Sequence, residues 1–199
     1  MENHSHKFEK KKAGVFFFKS SSPFEFHHIL NGIDTEPKEE IYGSLIFPEN
    51  VKLPCPAVIA VHGSAGLRGN HHDHIVNLLE AGIAVFRIHS FEARGLISII
   101  EDQMRVTLAT MITDSFRALS MLTQHPDIDP NKIGIMGWSL GGSTSFYSAW
   151  SPIVKALTLG DEKFSAHLPL YPGTHIKPEI NEWTCLLYTS DAADEGLGV

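Results

Sequence analysis

A six-residue segment, Gly137-Trp138-Ser139-Leu140-Gly141-Gly142, is the feature that most constrains the fold of this chain. A β-type run, Lys132–Met136, precedes it, and a helix-forming segment that continues through Trp150 follows it. In the spacing G-x-S-x-G between a strand and a helix, the chain turns so sharply that the serine hydroxyl is lifted clear of the sheet. The glycines leave room where a β-carbon would collide with backbone. The segment therefore predicts that Ser139 is a nucleophile on a strained turn.

The rest of the chain alternates apolar runs with helical patterns, which predicts a three-layer α/β sandwich around a mostly parallel sheet. Ala57–Val61 is a continuous apolar run, as expected of a central strand that is buried on both faces. The other predicted strands are Phe24–Leu30 and Glu40–Phe47 (an antiparallel pair), Ile83–Ile88, Lys132–Met136 and Ala166–Tyr171. Helices are predicted around Ile75–Leu79, with a stop at Gly82, and over Glu101–Gln124, where Met104 and Leu108 begin an apolar face.

A second glycine-containing segment, His62-Gly63-Ser64-Ala65-Gly66, follows the central strand directly. In a sandwich of this kind the loop at this place supplies one backbone donor of an oxyanion hole, and the residue after the nucleophile supplies the other. We therefore expect the N–H groups of Ser64 and Leu140 to lie on the same rim of the sheet and to point towards the Ser139 hydroxyl. The start of the helix after Ser139 adds a favourable partial positive charge.

These segments resemble the dienelactone hydrolase family of α/β-hydrolases. The resemblance rests on VIAVHGSAG, AVFRIHSFEARG, HPDIDPNKIGIMGWSLGG and HLPLYPG, and it covers residues 41–173. It implies an α/β-hydrolase sandwich and a serine hydrolase that acts on carboxylic esters or lactones through an acyl-enzyme on Ser139. One departure is informative: the founding members use a cysteine nucleophile, whereas Ser139 stands at that place here. This favours a general ester or acyl hydrolase over an enzyme for dienelactones.

Three other functions stay open beside the esterase: a peptidase, an acyltransferase, and a non-catalytic binding member of the fold. The formal charge of −7 disfavours a nucleic-acid partner, and no run is long and apolar enough to span a membrane. The two cysteines, Cys55 and Cys185, are too few for a disulfide framework and suit a cytoplasmic protein. We expect a small-molecule ester or lactone as substrate and no cofactor; the sequence leaves the oligomeric state open.

Arg94 and the clustered histidines are the other candidate site residues. Arg94 lies in the loop after the Ile83–Ile88 strand, at the rim where substrates bind, and it is a candidate contact for a substrate carboxylate. The alternative is an Arg–Glu pair that holds the loop. His71 and His74 share a helix face but have no third ligand at a plausible spacing, so we expect a solvated helix start and no metal. His27 and His28 are expected on opposite faces of a strand.

The remaining two members of a catalytic triad are not evident. Serine hydrolases of this fold run serine, then an acid, then histidine along the chain. Downstream of Ser139 the histidines are His167, inside the last predicted strand, and His175, just beyond it. We expect His167 to pack in the sheet, and Asp161 to lie at the opposite rim. The catalytic acid and histidine are therefore predicted to be missing from this chain, together with the closing strands of the sheet.

The end of the chain suggests a reason. Residues 185–195, CLLYTSDAADE, resemble one reading frame of a transposase-based sequencing adapter. The expected domain organisation is an incomplete α/β-hydrolase domain over residues 1–184 and a non-native tail over residues 185–199. A chain without the catalytic acid and histidine is expected to be inactive by itself.

Overall fold

The computed structural model describes residues 13–158 and 162–184. Within them one six-stranded sheet has the order β1-β2-β4-β3-β5-β6. The pairs β4–β3, β3–β5 and β5–β6 are parallel, whereas β2 pairs antiparallel with both β1 and β4. The strands are β1 (Gly14–Ser20), β2 (Glu39–Ile46), β3 (Cys55–Val61), β4 (Ala84–Ile88), β5 (Ile128–Trp138) and β6 (His167–Leu170). The helices are α1 (Phe26–Leu30), α2 (Asn70–Glu80), α3 (Leu108–Leu122), α4 (Leu140–Tyr147) and α5 (Ser151–Leu157).

Helices cover both faces of the central strands, which confirms the predicted three-layer sandwich. Successive residues of a strand point to opposite faces, and β3 buries apolar side chains on both: Ile59 packs into the larger core with α3, and Val58 packs into the smaller core with α2. This double burial explains why the sequence of β3 is continuously apolar. The carboxyl ends of β3, β4 and β5 consequently meet at one rim of the sheet.

The amino-terminal part of the sheet differs from the prediction. The first strand is Gly14–Ser20, which pairs antiparallel with β2 so that Phe18 lies opposite Ile41. The segment Phe24–Leu30, predicted as a strand, instead contains the one-turn helix α1. Its Phe26 ring lies against the ring of Tyr147, with centroids 5.3 Å apart. Aromatic packing therefore overrides the β propensity of this segment, and the expectation for His27 and His28 on a strand is wrong.

Helix α3 is shorter than its predicted span of residues 101–124. It begins after Thr107, whose side chain accepts a hydrogen bond from the N–H of Thr110 and so caps the helix. Residues 89–107 form an irregular connection, called here the β4–α3 loop, in which Glu92–Arg94 makes a single 3₁₀ turn. The helix predicted to run through Trp150 divides into α4 and α5, with Pro152 in the first turn of α5. In the described residues no helix is long and apolar enough to cross a membrane.

Candidate functional site

Ser139 occupies a strained turn between β5 and α4. Its backbone φ is 53° and ψ is −113°, a conformation that a residue with a β-carbon rarely adopts. The residue is exposed, whereas Trp138 before it is buried. The turn therefore presents the Ser139 hydroxyl at the carboxyl end of the sheet, as the G-x-S-x-G spacing predicts.

The glycines around Ser139 are required by backbone packing. A β-carbon on Gly137 would lie 2.0 Å from the carbonyl oxygen of Gly141, and one on Gly141 would lie 2.0 Å from the carbonyl oxygen of Val61. In both cases the obstacle is main chain, which cannot swing aside as a flexible side chain can. The Ser139 N–H also donates to the carbonyl of Leu170 at 3.1 Å. Strands β3 and β6 thus fix the turn from two sides.

The loop between β3 and α2, residues 62–69, lies against this turn. A β-carbon on Gly63 would come within 3.4 Å of Ser139 Cβ, so the loop and Ser139 share one rim. The Ser64 carbonyl accepts from the N–H of Ile99 at 2.9 Å, and the Ser64 hydroxyl donates to Gln103 Oε1 at 2.9 Å. These bonds use the oxygens of Ser64 and not its N–H. Leu140 is the first residue of α4, where helix geometry gives the N–H no acceptor.

His62 anchors the start of the same loop. Its ring is buried, lies 4.2 Å from the Phe91 ring between centroids, and donates from Nδ1 to the Gly63 carbonyl at 3.1 Å. Burial lowers the pKa of His62 below its usual range. Burial therefore disfavours the charged form of the imidazole, and the ring packs beneath the start of the loop. In the sequence, His62 stands out only as part of the His62–Gly66 segment, because a buried packing histidine carries no pattern of its own.

His71 and His74 pack on Trp138, the residue before Ser139. The His71 ring stacks on Trp138 at 4.2 Å between centroids, with 14° between the ring planes, and the His74 ring meets the same indole edge-on at 5.7 Å. His71 Nδ1 accepts from the N–H of Arg68, and burial lowers the His71 pKa. The expectation of a solvated helix start is thus wrong for His71. Across the described residues, no group of three or more His, Cys, Asp or Glu side chains is arranged to hold a metal.

Arg94 is bound by carboxylates of the protein itself. Its Nη1 and Nη2 donate to the two oxygens of Asp114 at 2.8 and 3.1 Å, and its Nε donates to Glu39 at 2.9 Å. Asp114 is fully buried on α3, and it also accepts from the Ser20 hydroxyl. This arrangement favours the alternative in which Arg94 holds its loop, and it argues against a contact with a substrate carboxylate. No sequence pattern indicates a role for Asp114, which lies inside a mostly apolar helix.

The two downstream histidines occupy opposite environments. His167 is fully buried on β6, with Nδ1 donating to the Ser145 carbonyl at 2.8 Å, and burial lowers its pKa to about 4. It packs in the sheet, as predicted. His175 is exposed in the segment after β6, and its Nδ1 would lie 3.5 Å from a β-carbon on Gly173. Within the described residues no hydrogen bond joins His175 to Ser139. Asp161 and the predicted tail over residues 185–199 lie outside the described residues.

The segment after β6 runs over α4. Gly173 exchanges two hydrogen bonds with the Ser143 hydroxyl, at 2.8 and 3.1 Å, and the Tyr147 hydroxyl donates to the Ile176 carbonyl at 2.8 Å. Ser143 lies one helical turn after Ser139. The segment therefore reaches the rim that carries Ser139, but among the residues described it makes no hydrogen bond to the Ser139 side chain.

Comparison with known proteins finds a matching family model and solved structures of similar fold. The model of the dienelactone hydrolase family matches residues 41–181. The Bacillus subtilis (strain 168) protein YtaP is 24% identical over 138 residues, which are 59% of this chain and 46% of YtaP. Among solved structures, Est1E from Butyrivibrio proteoclasticus has a TM-score of 0.53 at 18% identity, over 80% of this chain and 51% of Est1E. Esterase Est22 has a TM-score of 0.55 at 19% identity, over 81% of this chain and 44% of its own. The chain thus spans about half the length of these relatives.

Proposed function

Because the chain belongs to the dienelactone hydrolase family, we propose that the protein is a serine hydrolase that cleaves carboxylic esters or lactones through an acyl-enzyme on Ser139. The observation that carries this proposal is the exposed Ser139 at φ 53°, on a turn built by glycines that tolerate no β-carbon. A strained residue of this kind persists only where surrounding structure holds it, and such residues cluster at active sites. A protein that only binds a ligand has no need of such a turn.

The proposed reaction follows the chemistry of a hydroxyl nucleophile. Ser139 Oγ attacks the ester carbonyl and gives its proton to a base, and the carbonyl oxygen takes up the negative charge. The N–H groups of Leu140 and Ser64 stabilise that charge, and the start of α4 adds to the positive potential. The bond to the leaving alcohol then breaks, and the alcohol takes the proton. Water attacks the acyl-enzyme in the same manner and releases the acid.

We propose that neither downstream histidine of the described residues is the base of the triad. His167 is buried and its Nδ1 is bonded to Ser145, so it cannot reach Ser139. His175 lies beside Gly173 and is not hydrogen-bonded to Ser139. We propose in addition that residues 1–184 are part of one catalytic domain, that its ligand is a small ester or lactone, and that it works without a cofactor.

Labelling with a fluorophosphonate tests this proposal on the whole protein. Such a probe reacts with an activated serine, so a single adduct is expected on the peptide that contains Ser139. The Ser139→Ala variant should take up no label, and the Ser143→Ala variant, altered one helical turn away, should be labelled normally. A whole protein that folds, takes up no label and hydrolyses no ester would contradict the proposal and leave the non-catalytic binding protein as the better explanation.

A further inference from the structure

The β4–α3 loop exposes three large apolar side chains within eight consecutive residues. The exposed fractions are 81% for Ile97, 60% for Ile100 and 60% for Met104. Single exposed apolar residues are common on protein surfaces, but a local cluster marks a surface that contacts something apolar. The loop itself is well anchored, because Leu96, Ile99 and Val106 are buried in the large core. The outward position of the three side chains is thus a property of the folded loop.

The same loop is joined directly to the proposed oxyanion loop. The Ser64 carbonyl accepts from the N–H of Ile99 at 2.9 Å and from the Ser98 hydroxyl at 3.2 Å. A β-carbon on Gly66 would lie 2.6 Å from the Ile97 carbonyl oxygen, so the two backbones are in contact. Since Gly63 in turn touches Ser139, the apolar cluster lies one loop away from the nucleophile. A substrate bound at Ser139 can therefore extend over it.

Charges near this cluster argue against an anionic substrate. Glu101 and Asp102 follow Ile100 directly and are exposed, and they outnumber Arg105 in the same stretch. The guanidinium of Arg94 is bound to Asp114 and Glu39. A carboxylate on the substrate would thus meet like charges at this part of the rim. Arg68, exposed in the β3–α2 loop, is a cation that by itself would favour an anionic substrate.

We propose that Ile97, Ile100 and Met104 form the substrate-selecting surface of the Ser139 site and favour neutral esters with an apolar acyl chain. This inference rests on the proposed function. Each methylene of an acyl chain that leaves water for this surface strengthens binding, so preference should rise with chain length. The surface acts on substrate choice and takes no part in bond breaking.

The test compares kcat/KM for p-nitrophenyl acetate, butyrate, octanoate and hemisuccinate with the whole protein. The variant Ile97→Ser/Ile100→Ser/Met104→Ser should lower the octanoate-to-acetate ratio about tenfold, in the range of a few lost apolar contacts. The control is Val15→Ser/Ile33→Ser, which removes two apolar side chains that are 55% and 44% exposed outside the β4–α3 loop. It should leave the ratio unchanged. The single variant Ile97→Ser should show a smaller loss in the same direction.

Provided that Ser139-dependent turnover persists, two results would overturn this inference but not the proposed function. One is an unchanged octanoate-to-acetate ratio in the triple and single variants. The other is a preference for the anionic hemisuccinate over butyrate, which has the same acyl length. Absence of Ser139-dependent turnover for all four esters would instead overturn the proposed function, and this inference with it.

Discussion

The turn that holds Ser139 and the segment that holds His175 lie side by side above α4, and they are built in different ways. The turn is fixed by main chain: carbonyls of β3 and of α4 itself stand where β-carbons would be, and Leu170 binds the Ser139 N–H. The segment after β6 is held by side-chain hydrogen bonds from Ser143 and Tyr147 of α4 and from Trp150, and only its end, at Glu182 and Thr184, makes main-chain hydrogen bonds to the α4–α5 connection. Its own residues are mostly exposed.

This contrast teaches that the sheet determines the position of Ser139, whereas among the described residues no histidine has comparable main-chain support beside it. Close main-chain packing leaves Ser139 one conformation. Around His175 the segment is exposed and is bonded to side chains of α4, which is typical of segments that open locally at a low cost in free energy. A proton acceptor needs a position fixed to a fraction of an ångström. The described part of the segment after β6 does not supply that for His175.

The largest expected effect separates Ser139 from the serine one turn further along α4. In the whole protein, Ser139→Ala should lower kcat for an activated ester by a factor on the order of 10⁶, since the nucleophile of a triad is lost. Ser143→Ala removes the hydroxyl that binds Gly173 and should cost less than about tenfold. Steady-state rates with p-nitrophenyl butyrate measure both. Comparable losses in the two variants would mean that Ser139 has no special role.

The second prediction compares two glycine-to-alanine changes in the 199-residue chain. Gly141→Ala places a β-carbon 2.0 Å from the Val61 carbonyl and should lower the free energy of unfolding by about 3 kcal/mol or more. Gly173→Ala places one 3.4 Å from the Ser143 hydroxyl, an ordinary contact, and should change it by less than about 1 kcal/mol. Effects on the unfolded chain are the same for both and cancel. Urea unfolding followed by circular dichroism gives the difference; equal stabilities would contradict the packing described for the turn.

Sequence reasoning succeeded where one local pattern fixes the backbone. The G-x-S-x-G spacing between a strand and a helix places glycines where a β-carbon would not fit. The turn at Ser139 and the loop after β3 were therefore predictable. Prediction from sequence failed where a contact with a distant segment determines the local structure. Phe26 belongs to a helix because Tyr147 and Trp150 surround its ring, and Arg94 is neutralised by Asp114 from another element. Neither partner is visible in the local sequence.

The third prediction contrasts the buried with the exposed histidine. The pKa of His167 in the folded chain is about 4, below the ordinary value of 6.5. Between these values the unfolded chain binds a proton that the folded chain does not, so stability falls as pH falls from 6.5 to 4. The loss from His167 should reach about 3 kcal/mol. Burial lowers the pKa of His62 and His71 in the same direction.

Replacing each histidine in turn isolates this contribution. Urea unfolding of His167→Gln at several pH values should show a weaker dependence on pH between 6.5 and 4 than the unaltered chain. The matched control is His175→Gln, the same substitution at an exposed histidine. A pH dependence that His167→Gln does not alter would show that the His167 ring is protonated normally in the folded chain.

The smallest expected effect concerns His175 as a base. In the 199-residue chain, Ser139 should keep its turn, and because no histidine among the described residues is bonded to it, we expect a weakly nucleophilic alcohol. An oxyanion hole alone can exceed the rate in water by about 10³, which sets the upper limit for turnover of an activated ester. Because His175 makes no hydrogen bond to Ser139 among the described residues, His175→Ala should change this slow rate by less than about twofold. Robust, saturable turnover that disappears on this substitution would show that the segment after β6 moves His175 onto Ser139. The exposed segment would then be as much a part of the catalytic machinery as the buried turn beside it.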